Sequence, residues 1–172
     1  MMIRRLCPDD AAAYQALRLE GLLESPTAFG ASYAGEAGRT LAEIEARLQT
    51  TAEVTVGVFG AFADERLVGI GALARTTTEK VAHNATVGGM YVSAPFRGRR
   101  IGQALLDAVI AHARTFAHLR NLRLSVNATN ATAIRLYQSR GFTRYGLEPE
   151  TLCVDGVFYD DELYALPLHG TA

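Results

Sequence analysis

Hydrophobic and polar residues recur with two different periods along this chain, and the changes of period outline its predicted elements. Ile3 to Leu6 is a short apolar run typical of a strand, and Pro8-Asp9-Asp10 then opens a helix. Ser25-Pro26 ends that helix. The stretch from there to Arg39 has no clean period, so we predict an ordered loop.

A second helix and three strands follow this loop. Thr40 to Glu43 has the form of a capping box, which predicts a helix from Leu41 to about Gln49. Gly69 to Ala74 matches the G-x-G-x-x-A sequence motif of dinucleotide-binding folds, which requires a helix directly after it. A strand continues there instead, so no nucleotide site is predicted at this position. Three β-rich runs with short polar turns between them predict an antiparallel meander: Val54 to Ala63, Leu67 to Thr78 and Val81 to Val92.

A long amphipathic helix connects this meander to a further strand. Arg100 to about Phe116 carries apolar residues at a spacing of four, and Leu122 to Val126 alternates as a strand. If the strands on either side of the helix pair directly, the crossover makes them parallel. The predicted fold class is therefore α+β, with a mixed sheet that is mostly antiparallel and has one parallel β-α-β step.

The last third of the chain is predicted to hold one short helix and the final strands. Asn130 suits the N-cap of a helix that runs through Ser139, and Gly141 stands where a left-handed residue ends such a helix. No internal repeat or linker is visible, so residues 1–172 are predicted to form a single domain. The final strands are predicted over Phe142 to Tyr145 and over Leu152 to Leu166, the latter with a turn at Asp155-Gly156.

Composition and charge narrow the class of protein. The 172 residues are 49% hydrophobic and 20% charged, which is typical of a globular protein with a sizeable core. The formal net charge of −1 lacks the positive field of a phosphate-backbone binder, so we expect no nucleic-acid partner. The charged N-terminus and the lack of a long apolar run predict a cytoplasmic protein without a membrane partner. Cys7 and Cys153 form no metal-ligand pattern, so no metal is expected.

The turn before the long helix is the most informative segment for chemistry. Val92 to Gln103 contains a strand end, a Gly/Arg turn and a helix start in succession. Backbone N–H groups and the positive end of the helix dipole converge there, and guanidinium groups stand beside them. Solvated arginines in an ordinary turn are the alternative. Because arginines near a helix N-terminus oppose its dipole, the segment favours an anionic ligand.

A second segment, Val126 to Phe142, follows the first at a distance of one helix and one strand. Together the two segments resemble the GNAT superfamily of acyl-CoA-dependent N-acetyltransferases. Arg97-x-x-x-x-Gly102 matches the superfamily's pyrophosphate loop. Its second acetyl-CoA motif is matched by Asn130, Ala133, Leu136-Tyr137 and Gly141-Phe142.

The resemblance implies a fold, a co-substrate and a set of contacts. The implied fold has about seven strands and about four flanking helices, and its sheet splays between the two parallel strands. Acetyl-CoA is the implied co-substrate, with its pantetheine arm in that opening, and Gly88-Gly89 fits a bulged strand there. The implied cofactor-binding residues are Met90, Tyr91, Val92, Arg97, Gly98, Arg99, Arg100, Ile101, Gly102, Gln103, Asn130 and Tyr137.

Two departures from the family and one match bear on the chemistry. Arg100 replaces the middle glycine of the phosphate loop, and it still donates its backbone N–H if its φ is helical. No Glu or Asp lies between Val81 and Phe96, where many members carry a general base. Tyr137 matches the position that protonates the departing CoA thiolate, and a phenol with a pKa near ~10 suits an acid. A tyrosine that only packs is the alternative.

The acceptor site is implied less sharply. Phe29 and Tyr33 match the variable region where family members bind the acceptor, which is expected to be a small-molecule or peptide amine. Several carboxylates follow the second motif; Glu148 is the candidate base and Asp160 a candidate contact for a cationic amine. A solvated acidic surface is the alternative for both residues.

The sequence thus predicts an acetyl-CoA-dependent N-acetyltransferase that acts on a primary amine by direct transfer. Neither cysteine falls in the matched motifs, so no covalent enzyme intermediate is expected. The missing carboxylate motivates an alternative, a non-catalytic acyl-CoA-binding regulatory or interaction module. The acceptor, the acyl length and the oligomeric state stay open at this point, a homodimer included.

Overall fold

A single seven-stranded sheet organises the molecule in a computed structural model that describes residues 1–49, 55–75 and 78–168. The strand order is β1-β2-β3-β4-β5-β7-β6. All neighbouring strands are antiparallel except β4 and β5, which are parallel. The predicted mixed sheet with one parallel step is therefore confirmed. The strands are Met2–Arg5 (β1), Thr55–Ala63 (β2), Arg66–Arg75 (β3), Asn84–Val92 (β4), Asn121–Asn127 (β5), Thr143–Val154 (β6) and Val157–Pro167 (β7).

The described α-helices cover both faces of this sheet and bury one apolar cluster on each. One cluster joins α4 and α5 to the sheet and includes Leu105 and Val109, which are fully buried. The other joins α1 and α3 to the opposite face through Leu17 and Ile44. β3 reads as a nearly continuous apolar run because both of its faces are covered. The helices are Ala11–Glu24 (α1), Tyr33–Ala37 (α2), Leu41–Leu48 (α3), Ile101–Arg114 (α4) and Ala131–Gln138 (α5).

The stretch predicted to be a loop contains a short helix, α2. The Ser32 hydroxyl caps it by accepting a hydrogen bond from the Gly35 N–H at 3.1 Å. A helix of only five residues, one of them glycine, has too few apolar positions to show a helical period. Hydrophobic spacing alone therefore did not reveal α2. Within the described residues, Pro26–Ala28 also forms a 3₁₀ turn directly after α1.

Two strands, β4 and β6, differ clearly from those predicted. Glu79–Val81 forms a 3₁₀ turn, so β4 begins at Asn84 rather than Val81. β6 runs from Thr143 to Val154 without the predicted interruption, and its register against β7 shifts between Glu148 and Leu152. That shift breaks the alternation of side chains and explains why the sequence suggested two separate strands. The predicted strand start at Val54 and the strand residues Thr76 and Thr77 lie outside the described residues.

The sheet opens between its two parallel strands. Asn84–Thr86 of β4 pairs with Asn121–Arg123 of β5, and the strands separate beyond these three residue pairs. At Gly89 the backbone has φ +62°, and the register between β3 and β4 shifts opposite this point. A residue with a side chain would be strained at this φ, so the glycine permits the bulge. Bulge and separation together create the opening that the family resemblance implied.

No helix among the described residues combines the length and the apolarity that crossing a bilayer requires.

Candidate active site

A cavity of about 980 Å³ occupies the opening between β4 and β5. We divide its wall into two halves. The cofactor half contains Val87–Val92, Phe96–Gln103 without Arg99, and lining residues of Asn130–Ser139. The acceptor half contains lining residues of Ser25–Gly30, of Ser125–Asn127, Thr151, Leu152 and Asp161.

The turn before α4 presents hydrogen-bond donors to the cofactor half. Arg100 is the N-cap of α4 and has φ 61° and ψ 17°, which is left-handed rather than right-handed helical. Its side chain makes no cap, and the first turn of α4 carries no acidic residue. The first N–H groups of a helix lack intrahelical acceptors, and the residues that carry them in α4, Ile101, Gly102 and Gln103, line the cavity. This end of the cavity therefore suits an anionic group.

The arginines of this turn have different surroundings. Arg97 forms an ion pair with Glu24 of α1 at 2.7 Å and donates a hydrogen bond to the Val92 carbonyl at 2.9 Å. Arg99 lies over the Phe96 ring, 5.3 Å from its centroid, and does not reach the cavity wall. Arg100 does reach the wall. In this arrangement Arg97 ties α1 to the turn, and Arg100 is the arginine available beside the donor-rich helix end.

The end of β4 lines the middle of the cavity. Its main chain has no β5 partner beyond Thr86, so the edge of the strand faces the opening. The side chain of Tyr91 points away to α1, where its hydroxyl donates a hydrogen bond to the Glu24 carboxylate and lies 3.1 Å from the Glu20 carboxylate. Burial and these carboxylates raise the pKa of Tyr91. Tyr91 lines the cavity together with Met90 and Val92, while its hydroxyl is engaged on α1.

Tyr137 and Asn130 bring α5 to the same cavity. Tyr137 is 7% exposed, and its ring packs against Phe142 with centroids 5.9 Å apart. Burial raises the pKa of Tyr137 to about 12, so the phenol is protonated at neutral pH and can donate its proton. Asn130 caps α5, because its Oδ1 accepts a hydrogen bond from the Ala133 N–H at 3.1 Å.

The residues predicted for the acceptor are spread more widely. Phe29 lines the cavity beside Tyr91, whereas Tyr33 is 40% exposed and does not line it. Glu148 and Asp160 also lie outside the lining. Asp160 accepts a hydrogen bond from a backbone N–H at 2.9 Å, and Glu148 is exposed on β6. The structure thus gathers the cofactor half closely and places only one predicted acceptor contact at the wall.

Two buried polar residues of the wall, Asn127 and Asp161, were not predicted as site residues. Asp161 is 6% exposed and Asn127 is 3% exposed, and the two are paired across β5 and β7. Burial raises the pKa of Asp161 and Glu148 raises it further, while a hydrogen bond from the Ser125 hydroxyl lowers it. Asp161 stands between Asp160 and Glu162 in the sequence. Because side chains alternate along a strand, Asp161 lies on the opposite face of β7 from both neighbours. This alternation was the signal in the sequence that could have separated Asp161 from its two acidic neighbours.

Among the described residues, no group of three or more His, Cys, Asp and Glu side chains is arranged to hold a metal ion.

A comparison with known protein families matches the part of the chain that contains both motifs. The model of the acetyltransferase (GNAT) family matches residues 23–142. Over 77 residues the chain is 36% identical to N-alpha-acetyltransferase 60 of Danio rerio, a match that covers 44% of this chain. The matched segment spans about a third of that curated relative, 32% of its length.

Solved structures share the fold over nearly the whole chain. An acetyltransferase of the GNAT family from Streptococcus pneumoniae superposes with a TM-score of 0.88 at 25% identity, covering 96% of this chain and 98% of its own. A GNAT superfamily phosphinothricin acetyltransferase from Sinorhizobium meliloti, solved in complex with acetyl-CoA, has a TM-score of 0.81 at 19% identity and coverages of 96% and 87%. With the family model matching more than half of its residues, this chain belongs to the acetyltransferase (GNAT) family.

Proposed function

We propose that this protein is an acetyl-CoA-dependent N-acetyltransferase that moves an acetyl group to a primary amine by direct transfer. The observation that carries the proposal is one continuous cavity. It joins the donor-rich start of α4, the unpaired edge of β4, the Tyr137 phenol and the loop that carries Phe29.

The residues of the cofactor half fit acetyl-CoA. The backbone N–H groups at the start of α4 and the Arg100 side chain would hold the pyrophosphate. The free edge of β4 would bond the amides of the pantetheine arm, as one strand bonds another. When bound, acetyl-CoA supplies an acetyl group activated as a thioester.

The chain's own groups then have distinct tasks. Main-chain N–H groups at the end of β4 would polarise the acetyl carbonyl, and Tyr137 would protonate the departing thiolate. Both cysteines, Cys7 and Cys153, are exposed and lie outside the cavity wall. Neither thiol is therefore presented to a thioester bound in the cavity, which favours direct transfer between aligned reactants.

The acceptor half suits a primary amine on a small molecule or a peptide. Its wall combines the Phe29 ring with the hydroxyl of Thr151 and the carboxyl of Asp161. The names of the relatives include both an N-alpha-acetyltransferase and a phosphinothricin acetyltransferase, so acceptors of both kinds belong in a screen.

A screen of primary amines with acetyl-CoA tests the proposal, with release of the free thiol as the measurement. We expect turnover with at least one amine and acetyl-CoA binding in calorimetry. Because no carboxylate lies between Val81 and Phe96, a non-catalytic acyl-CoA-binding module is the second candidate. Binding without turnover across small-molecule and peptide amines would favour that module, and absence of binding would overturn both candidates.

A further inference from the structure

Two buried polar atoms of the cavity wall have no hydrogen-bond partner in the described part of the chain. They are Oδ1 of Asp161 and Nδ2 of Asn127. Buried polar atoms in folded proteins are nearly always paired, so an unpaired acceptor and an unpaired donor in one cavity wall point to a ligand. Neither Asn127 nor Asp161 is among the residues that are expected to hold acetyl-CoA.

The backbone fixes where these side chains stand. Asn127 of β5 and Asp161 of β7 are directly paired, and directly opposed residues project to the same face of a sheet. The Asn127 Oδ1 accepts hydrogen bonds from the Thr129 N–H at 2.9 Å and the Thr129 hydroxyl at 2.6 Å. This orients the Asn127 amide and leaves its Nδ2 as the unpaired donor.

Asp161 and Tyr137 approach the cavity from opposite faces of the sheet. The apolar residues Leu124 and Val126 of β5 pack in the cluster with α4 and α5, which also contains Tyr137. Because side chains alternate along a strand, Asn127 and its partner Asp161 lie on the other face. An amine in the acceptor half would therefore have a carboxylate on one side and the thioester, with the Tyr137 phenol, on the other.

We propose that Asp161 is the proton acceptor for the attacking amine, an assignment that rests on the proposed function. The acceptor ammonium ion gives one proton to the Asp161 carboxylate. The nitrogen lone pair then forms the C–N bond, and the C–S bond breaks with its electron pair on sulfur, which takes the Tyr137 proton. The nitrogen loses its second proton to water, Asp161 releases its proton to water, and Tyr137 regains one from water. The net release is one proton per acetyl group transferred.

The groups around Asp161 support this role. From β6, Glu148 is paired with Asp161 across the ladder, and from β5 the uncharged Ser125 and Asn127 face it. The uncharged turn Pro26–Ala28 contacts β5 and β6.

The two acidic neighbours of Asp161 along β7 are engaged elsewhere. Asp160 accepts a backbone hydrogen bond, and Glu162 forms an ion pair with Arg144 at 3.3 Å and accepts the Tyr164 hydroxyl. Glu148, the base that the sequence suggested, would then act through Asp161. Its negative charge makes the Asp161 carboxylate more basic, which brings its pKa closer to that of an amine.

Asp161→Asn tests the assignment, with Asp160→Asn as the matched control. The measurement is kcat/KM from pH 6 to pH 10 with two acceptors, an amine of pKa near ~10 and an amine of pKa near ~6 that is neutral at pH 7. With the basic amine we expect Asp161→Asn to lose ~10²–10⁴-fold at neutral pH and to regain activity steeply with rising pH. With the weakly basic amine, which needs no proton acceptor before attack, Asp161→Asn should stay close to wild type.

The controls separate this proposal from the proposed function. Acetyl-CoA affinity should be unchanged in Asp161→Asn, Asp160→Asn and Glu148→Gln, and Asp160→Asn should keep wild-type turnover. Unchanged turnover of the basic amine by Asp161→Asn would overturn the assignment and leave the acetyltransferase intact. An equal loss with both amines would also overturn it, because Asp161 would then be structural. A wild-type protein that binds acetyl-CoA but acetylates no amine would overturn the proposed function and this assignment with it.

Discussion

The cofactor half and the acceptor half of the cavity are constructed differently. The cofactor half comes from the end of β4, the turn into α4 and α5, and it offers backbone groups at the free edge of β4 and in the first turn of α4. The acceptor half presents side chains that stand more than 130 positions apart in the sequence, from Phe29 to Asp161. Recognition by backbone needs only the right local conformation. Recognition by side chains needs the tertiary structure to bring distant residues together.

The ion pairs that hold the two halves differ in the same way. The turn of the cofactor half has one half-exposed pair, between Arg97 and Glu24. Beside the acceptor half, the Glu36 carboxylate is buried among three guanidinium groups. The turn before α4 is therefore held mainly by helix and strand geometry, whereas the Phe29 side of the acceptor half lies next to a charged cluster. Four substitutions test this difference.

The largest expected effect is in the cofactor half, where a single side chain has a chemical task. Tyr137→Phe removes only the hydroxyl, while the ring still packs against Phe142. We expect turnover to fall ~10²–10⁴-fold, the usual contribution of a general acid, with acetyl-CoA affinity unchanged. Tyr145→Phe on exposed β6 is the control and should keep full turnover. Equal turnover in both variants would make Tyr137 a packing residue.

The next effect is on the scaffold of the acceptor half. Glu36 of α2 contacts Arg47 at 2.7 Å, Arg18 at 3.0 Å and Arg39 at 3.2 Å, and Arg18 lies over the Phe29 ring. Glu36→Gln leaves the partly buried guanidinium groups of Arg18 and Arg47 without their counter-charge, and breaking an ion pair at a buried site typically costs ~3–5 kcal/mol of unfolding free energy. Urea unfolding at pH 7 measures this loss.

The pH dependence gives a second test of the Glu36 cluster. The Arg47 and Arg18 guanidinium groups lower the pKa of Glu36 from 4.5 to about 2, although burial opposes them. The carboxylate therefore stabilises the fold fully above pH 4.5, and this contribution is lost as pH falls toward 2. The difference in unfolding free energy between wild type and Glu36→Gln should therefore shrink as pH falls from 4.5 toward 2. The control Glu79→Gln, at an exposed position, should have the unfolding free energy of wild type throughout. A difference that does not depend on pH would contradict the role of the charge.

A smaller effect is expected from Gly102→Val at the start of α4. A Cβ at Gly102 would meet Leu136 at 3.5 Å and Val92 at 3.9 Å, both ordinary contacts, so Gly102→Ala should be tolerated. The two additional methyl groups of valine would crowd the approach of a phosphate to the helix N–H groups. Losing one hydrogen bond to a charged group costs ~1.5–3 kcal/mol, or roughly 10–100-fold in Kd. Calorimetry with CoA measures the change in Kd. Equal Kd values for wild type, Gly102→Ala and Gly102→Val would remove this turn from the binding site.

The smallest effect concerns the strained backbone of Arg100. A left-handed conformation costs a residue with a side chain ~1–2 kcal/mol, so Arg100→Gly should raise the free energy of unfolding by up to about this amount. Acetyl-CoA binding should weaken at the same time, because the guanidinium group is lost from the cavity wall. Asp64→Gly, at φ 47° in a turn outside the wall, is the control that should relieve strain without changing affinity. Unchanged affinity in Arg100→Gly would show that only the backbone of this residue contributes.

Much of the fold was predictable because its signals are local. The period of the apolar residues revealed the long helix α4 and the strands around it, and the crossover through that helix required a parallel pair. The two motifs identified the family, which the match to residues 23–142 confirms. Local signals failed where an element is short, as in α2, or where a register shift breaks the alternation, as in β6.

The sequence by itself determined the order of the longer elements, the parallel step and the donor-rich turn at the start of α4. Each of these depends on the period of one element or on the connection between successive elements. Only the tertiary structure decided which carboxylate of the acidic C-terminal segment enters the cavity. That choice depends on how β7 pairs with both β5 and β6, and one step of register would exchange Asp161 for a neighbour on the other face. The alternation of side chains along a strand assigns each residue to one of two faces. The packing of the whole sheet determines which of these faces meets the cavity.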